Sequence, residues 1–466
     1  MKRKNVILIV SDSLRADHVS CLGYEKKTTP NIDKLAKEGV LFKKAFSYGS
    51  VTDTSIPPMM TSAPCIAYFL RRFSPKYRLR EGVKEGFDIY RRGIKTILRT
   101  KITLAEVLRR SSYETAVFHT NPILSRYFGF GSDFSYYYDG FDMGFDERRL
   151  ERGIRSLATK SLMMKVLSRL GVLESAKRIY FHMPGSTLSY GQAEGINEKT
   201  IKWLSENKPE RFFIWIQYMD THTPYNSPRD FYEISKRKAS HIRYKVMLKD
   251  VFEKELPLLS ELYDGCVRYV DYSIKSLLDA LEDKGLLKDT VVIITADHGD
   301  EFKEHGGFFH SASKLYEELT HVPLVIYNSE LGGVVEGVVS LLDLAPTLLD
   351  ILGVSAPKTF RGESLVPKIK GEAEGSAIMM EGAIEDTESL IAACRTSRWK
   401  FILDETGKKE LYDMKKDPKE KENVCDMEKD VARAFEVVVS QHIKKQRLVA
   451  TTKLEMDRIK IKIRRR

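Results

Sequence analysis

The chain has 466 residues, of which 42% are hydrophobic and 30% charged, a composition that excludes disordered and fibrous classes and suits one large domain with a smaller one. No apolar run approaches the roughly 18 residues of a membrane span. The 76 Lys+Arg against 65 Asp+Glu give a net charge of +11, which favours anionic partners.

Met1-Lys2-Arg3-Lys4 followed by residues 5–10 mimics a signal peptide. The apolar run is short and stops at Ser11-Asp12, so a first strand, buried on both faces, is expected. Thr29-Pro30-Asn31 predicts a helix start with Thr29 as N-cap, and Gly39 ends it. Residues 40–45 read as a short strand. Residues 47–62 are rich in hydroxyls and turn formers, and Pro57-Pro58 suit the first turn of a helix better than its interior. Hydroxyls at a helix N-terminus form a natural anion site, although a plain Ser/Thr loop is the commoner reading of such composition.

Residues 64–100 read as a partly helical insertion. A helix over 103–110 leads to a strand over 114–119, which ends in Thr120-Asn121-Pro122. Residues 129–146 read as a Tyr/Phe/Gly/Asp loop, and residues 147–190 as a basic, mostly helical insertion. A helix over 196–206 precedes a buried strand over 211–218, which runs into Asp220-Thr221-His222. A long amphipathic helix over 262–281 leads into a strand over 291–295. Strand, helix and strand alternate at the spacing of right-handed crossover units.

The 291–295 strand ends in Ala296-Asp297-His298-Gly299-Asp300. In an open α/β sheet, ligands sit beyond the carboxyl ends of the strands. The first strand also ends in an acid, so Asp12 can meet Asp297 and His298. Asp plus His suits a divalent metal of borderline hardness. His310 lies in a glycine- and aromatic-rich loop. A strand over 323–327 and a helix over 343–352 follow. From about residue 376 short strands over 377–381, 389–394 and 399–403 predict a small antiparallel sheet, with a C-terminal helix from about Asp430.

Eight segments, in order, carry a resemblance. They are SDSLRADHVSCLGY (11–24), TTPNIDKLAKEGVLFKKAFS (28–47), TLAEVLRRSSYETA (103–116), YMDTHTPY (218–225), TADHGDEFKEHG (295–306), LYEELTHVPLVI (315–326), DLAPTLLDILGV (343–354) and ELYDMKKDP (410–418). With these the chain resembles the sulfatase family of the alkaline phosphatase superfamily. The resemblance implies an α/β fold with a mostly parallel central sheet flanked by helices over residues 1–375, carrying insertions at about 64–100 and 147–190. A small α+β subdomain with a basic helical tail over 376–466 completes it.

The family's nucleophile lies nine residues before the Thr of a Leu-Leu-Thr-Gly segment; here that segment is Met59-Met60-Thr61-Ser62, which puts Thr52 in the slot. Sulfatases carry Cys or Ser there, within Cys/Ser-x-Pro-Ser-Arg, and convert it to formylglycine. Here the proline and arginine are absent and Thr cannot be so converted. In that slot the chain is similar to phosphoglycerol and phosphoethanolamine transferases. The resemblance implies one divalent ion (Mn, Zn, Ca or Mg) on Asp12, Thr52, Asp297 and His298. Thr52, His222 and His310 are the implied catalytic residues, and Asn121, His222 and His310 the substrate-binding ones. The second metal site of two-metal relatives looks incomplete, because Pro224 stands four residues after Asp220.

The expectation is a metal-dependent hydrolase of phosphate (di)ester or sulfate ester bonds through a covalent Thr52 intermediate. A headgroup transferase and an inactive binding protein of the same fold are the rivals. The expected partner is an anionic ester; no nucleic-acid-binding signature appears. Peripheral membrane contact through 64–100 or the basic tail stays open, as does the oligomeric state. Five scattered cysteines without a Cys-x-x-Cys pair point to a reducing compartment, hence a cytoplasmic location.

Overall fold

A computed structural model describes residues 4–74, 83–140, 192–374, 377–385 and 387–464. The helical reading of 147–190 and the end of the 129–146 loop lie outside the described residues.

Strands β1 (Asn5–Ser11), β2 (Val40–Phe46), β3 (Glu114–His119), β4 (Tyr136–Asp139), β5 (Phe212–Tyr218) and β6 (Thr290–Ala296) belong to one central sheet. A two-stranded ribbon, β7 (Glu301–Phe302) with β8 (Phe308–Phe309), follows, and β9 (His321–Tyr327) and β10 (Gly333–Ser340) complete the sheet. Its order is β10-β2-β9-β6-β1-β5-β3-β4. Only β9 runs antiparallel to its neighbours; the other pairings are parallel.

Every residue of β1, β5 and β6 is buried. Alternate residues of β1 enter opposite cores: Val6, Leu8 and Val10 one, Ile7 and Ile9 the other. Each such side chain contributes roughly 1.5–3 kcal/mol, and a slip of one residue would exchange the two faces. Hence the register is firmly set. It pairs Ser11 with Ala296 on one side and with Tyr218 on the other. The residues that follow, Asp12, Asp297 and Met219, leave the sheet side by side.

A second sheet, β11 (Ile378–Ile384), β12 (Ser389–Arg395), β13 (Trp399–Asp404) and β14 (Lys409–Asp413), is wholly antiparallel. Ile378, Met380 and Ile402 pack with Phe46, Leu315 and Val338 of the central body. The helix Lys429–Arg464 closes the chain.

Several sequence expectations change. The 129–146 loop contains β4, whose Tyr137 and Asp139 are buried while its other residues are not. Strand β10 was not anticipated: Gly333, Val334 and Glu336 are exposed and a second glycine, Gly337, follows, so it carries no unbroken buried-strand signal. The helix Lys236–Leu248 was also missed, and the long helix starts earlier, at Leu256 with Pro257 in its first turn.

Four helices flank the early chain: α1 (Pro30–Glu38), α2 (Thr52–Thr61), α3 (Val83–Thr100) and α4 (Leu104–Arg110). Thr29 precedes α1 but its hydroxyl does not cap it. The Asp271 carboxylate does, accepting the N–H groups of Asn31 and Ile32 at 3.1 and 2.8 Å. Pro57 and Pro58 lie inside α2, against the first-turn expectation. All ten residues of α2 are buried, so packing offsets the lost intrahelical bonds. All five cysteines are free thiols. Among the described residues no helix is long and apolar enough to cross a membrane.

Candidate active site

Asp12, Asp297 and His298 converge at the carboxyl ends of β1 and β6. His298 Nε2 lies 3.7 Å from Asp12 Oδ1 and 3.8 Å from Asp297 Oδ2. His298 Nδ1 donates to the Gly299 carbonyl at 2.9 Å, which leaves Nε2 facing the carboxylates. Gly299 permits this turn: a Cβ there would stand 2.1 Å from the Glu318 carbonyl oxygen. Ser13 adopts φ 63 and donates its hydroxyl to Asp12 Oδ1 at 3.1 Å. Its N–H reaches Asp297 Oδ1 at 3.2 Å. Such a backbone costs about 1–3 kcal/mol, and the Tyr263 hydroxyl, 2.6 Å from the Ser13 carbonyl, helps to hold it.

Thr52 is the first residue of α2, so its side chain stands where free N–H groups and the positive dipole end gather. Its hydroxyl lies 3.5 Å from Asp12 Oδ2 and 3.4 Å from His298 Nε2. The neighbouring hydroxyls point elsewhere. Ser50 donates to the Ser311 carbonyl, Thr54 to the Val51 carbonyl and Ser55 to the Gly49 carbonyl.

His310 and His222 form one wall, with ring centroids 5.2 Å apart. The His310 ring is 4.4 Å from that of His298. Asp300 grips His310 Nδ1 at 2.7 Å and accepts the Tyr225 hydroxyl at 2.7 Å on its other oxygen. Burial opposes the Asp300 charge, but His310 beside it holds the carboxyl below its usual range. Burial and the nearby His298 keep the His310 pKa below its ordinary value, against the pull of Asp300. His222 Nδ1 faces the Thr223 carbonyl at 2.8 Å.

Asn121 donates its amide to Asp12 Oδ2 at 2.7 Å and accepts from the Ile123 N–H. It therefore orients Asp12, and only its remaining N–H is available to an anion. Asp220 lies apart from this group of residues. One of its oxygens accepts the Ala193 N–H at 3.4 Å, and burial pushes its carboxyl up to about 7.

The donor set fits a divalent cation. Ligand atoms of Asp12, Asp297 and His298 all lie within 4.8 Å of one another, and all three residues are buried. Among the described residues no lysine or arginine hydrogen-bonds to either carboxylate; their donors are Ser13, Thr52, Asn121, Gln217 and the His298 N–H. Burial, then the adjacent Asp12 charge, pushes the Asp297 carboxyl up to about 6. Two desolvated carboxylates facing an imidazole call for positive charge. A second group, His298, Asp300 and His310, shares His298, and its last two members already satisfy each other.

Sequence reasoning missed several neighbours. Gln217, on β5 opposite Val10, donates to Asp297 at 3.4 Å. Thr221 donates to the Asp12 carbonyl at 2.6 Å. Asp300 stood in the quoted segment, three residues after Asp297, and was the most legible of them. Arg72, from the 64–100 insertion, pairs with Asp53 and lies 4.5 Å from the Tyr90 ring centre. A guanidinium thus reaches the residue next to Thr52 although none is encoded in the Thr52 segment.

A family model described as Sulfatase matches residues 4–354. One described as N-sulphoglucosamine sulphohydrolase, C-terminal, matches residues 303–448. The Arylsulfatase of Clostridium perfringens is 23% identical over 472 residues, covering 91% of each chain. The Choline-sulfatase of Rhizobium meliloti is 26% identical over 49% of this chain and 50% of its own. In three dimensions the chain is similar to the phosphonate monoester hydrolase of Agrobacterium radiobacter. The TM-score is 0.67 at 21% identity, with 96% of each chain covered.

Proposed function

We propose that this chain, which belongs to the sulfatase family of the alkaline-phosphatase-like superfamily, uses Thr52 as a covalent nucleophile and takes a phosphate ester in preference to a sulfate ester. The chain is a sulfatase-like ester hydrolase. The observation that carries the proposal is that, of the four hydroxyls in the 50–55 segment, only that of Thr52 faces Asp12 and His298.

Asp12, Asp297 and His298 would hold a divalent ion, which would supply Lewis-acid charge that lowers the pKa of an adjacent hydroxyl. The protein's own groups do the rest. The α2 N-terminus favours the Thr52 oxyanion. Thr52 Oγ1 passes its proton to a histidine and attacks the phosphorus in line, the P–O bond to the ester oxygen breaks, and the histidine returns that proton to the leaving oxygen. His310 suits that role, because Asp300 fixes its Nδ1 and turns Nε2 away. His222 and the remaining Asn121 N–H are placed to meet charge on the equatorial oxygens. A water then gives a proton to the same histidine and attacks the phosphorus of the Thr52 ester; the P–Oγ1 bond breaks, Oγ1 takes that proton back, and the phosphate is released.

Phosphate is favoured because an ordinary alcohol ester of phosphate is resolved by a second in-line attack. Sulfate release from formylglycine uses a hydrated aldehyde that threonine cannot form. Retention of Asp12, Thr52, Asp297 and His298 in one buried cluster argues against an inactive protein. The test is a panel of aryl sulfate, phosphate monoester, phosphodiester and phosphonate monoester, each with Mn²⁺, Zn²⁺, Mg²⁺ and Ca²⁺. Greater kcat/KM on a phosphorus ester supports the proposal; turnover of the sulfate alone refutes it.

A further inference from the structure

A cation-lined hollow lies away from Thr52, at the other end of α2. Over ten residues α2 spans about 15 Å. Its C-cap, Ser62, is held by the segment that forms the hollow's rim: the Arg361 N–H donates to the Ser62 carbonyl at 2.6 Å and the Gly362 N–H to its hydroxyl at 2.9 Å. The cavity has a volume of about 570 Å³. Lys101, Arg361, Lys368 and Lys445 line it, drawn from three separate parts of the chain.

Two carboxylates, Asp343 and Glu363, also line the cavity. That of Asp343 is engaged, accepting the Glu363 N–H at 2.9 Å and the Ser340 N–H at 3.4 Å. Four cationic side chains against two carboxylates leave a net charge of +2. Among the described residues no ion pair is formed by Lys101, Arg361 or Lys445. Three cations around one cavity, unpaired among the described residues, repel one another, and a bound anion relieves that repulsion. Tyr68, Leu342 and Met379 supply apolar wall between them, against which a carbon framework can rest.

We propose that this cavity is a second anion site and takes a small polyanion carrying two or more phosphate or sulfate groups. A single tetrahedral anion meets one or two of the cations; several groups on one framework meet all of them. The site is separate from the Thr52 centre, so the proposal stands or falls apart from the reading of that centre.

The test is titration calorimetry of the full chain with inorganic tripolyphosphate and with inorganic monophosphate. Three forms are compared: wild type, the double variant Arg361→Glu/Lys445→Glu, and Thr52→Glu. Both residues of the double variant are exposed, and the Arg361 main-chain bond to Ser62 survives the change. Wild type and Thr52→Glu are expected to bind tripolyphosphate alike. The double variant should bind it at least about tenfold more weakly, a loss of about 1.4 kcal/mol, with its ester turnover unchanged. Equal affinity in wild type and the double variant overturns the proposal. So does loss of binding in Thr52→Glu, which would put the anion in the Thr52 centre. In Thr52→Glu, where the catalytic centre is blocked, monophosphate binding as tightly as tripolyphosphate would overturn the polyanion assignment.

Discussion

Asp300 Oδ1 lies 2.7 Å from His310 Nδ1, and the other Asp300 oxygen receives the Tyr225 hydroxyl. Tyr225 and Asp300 are fully buried, so the imidazole is anchored from the protein side and presents one nitrogen to the cleft.

Asp300→Asn is therefore expected to lower kcat by about 10- to 100-fold, the range for losing a partner that orients a working group. KM should change little. Tyr225→Phe removes one hydrogen bond, about 0.5–1.5 kcal/mol, and should cost about tenfold or less. Steady-state kinetics with metal content measured in parallel checks this. Unchanged kcat in Asp300→Asn contradicts the positioning role.

Removal of the metal is expected to abolish turnover, and Mn²⁺ or Zn²⁺ to restore it. An ion that binds only the folded chain also stabilises it, so Tm should rise with added metal in wild type. Asp12→Ala removes one ligand and relieves carboxylate repulsion, so its Tm should respond weakly or not at all. Full activity after exhaustive chelation, with no metal found by elemental analysis, contradicts this.

The pair His305–Glu318 makes stability pH-dependent. His305 Nδ1 lies 2.7 Å from Glu318 Oε1, and its Nε2 faces the Glu420 carbonyl at 3.0 Å, tying the ribbon region to the segment after β14. Burial opposes charge on His305, but Glu318 outweighs it and raises the imidazole pKa. That contribution is full below about pH 6.5, the unfolded histidine value, and is lost as pH rises through the raised folded value. For Glu318 burial is likewise opposed, and His305 holds the carboxyl low. Its contribution is present above about pH 4.3 and is lost as pH falls further. The stability difference between wild type and His305→Gln should thus peak between these limits. Denaturant melts across pH check it, and a difference that grows steadily above pH 8 would be contrary.

How legible the site was depends on which signal each residue carried. Asp12, Asp297 and His298 follow unbroken β-branched runs, and buried parallel strands deliver their end residues to one edge. Hence the convergence was readable. The choice among Ser50, Thr52, Thr54 and Ser55 was not readable from composition. It depends on which carbonyl each hydroxyl meets, a matter of how residues 47–52 fold against residues 311 and 320. Strand β10 escaped because Gly333 and Gly337 break its pattern and its first two residues are exposed. The Arg72–Asp53 pair joins segments distant in sequence, and nothing local announces it.

The covalent role of Thr52 is tested most directly by trapping. Full-length protein loaded with metal is mixed with a turned-over aryl phosphate, quenched in acid within one turnover, digested, and its peptides sequenced by mass spectrometry. The account predicts a phosphoryl group on Thr52 in wild type, and none on the 50–55 segment in Thr52→Ala, which should turn over no substrate. A modified Ser55 or Thr54, or an unmodified segment with full activity in Thr52→Ala, would contradict it.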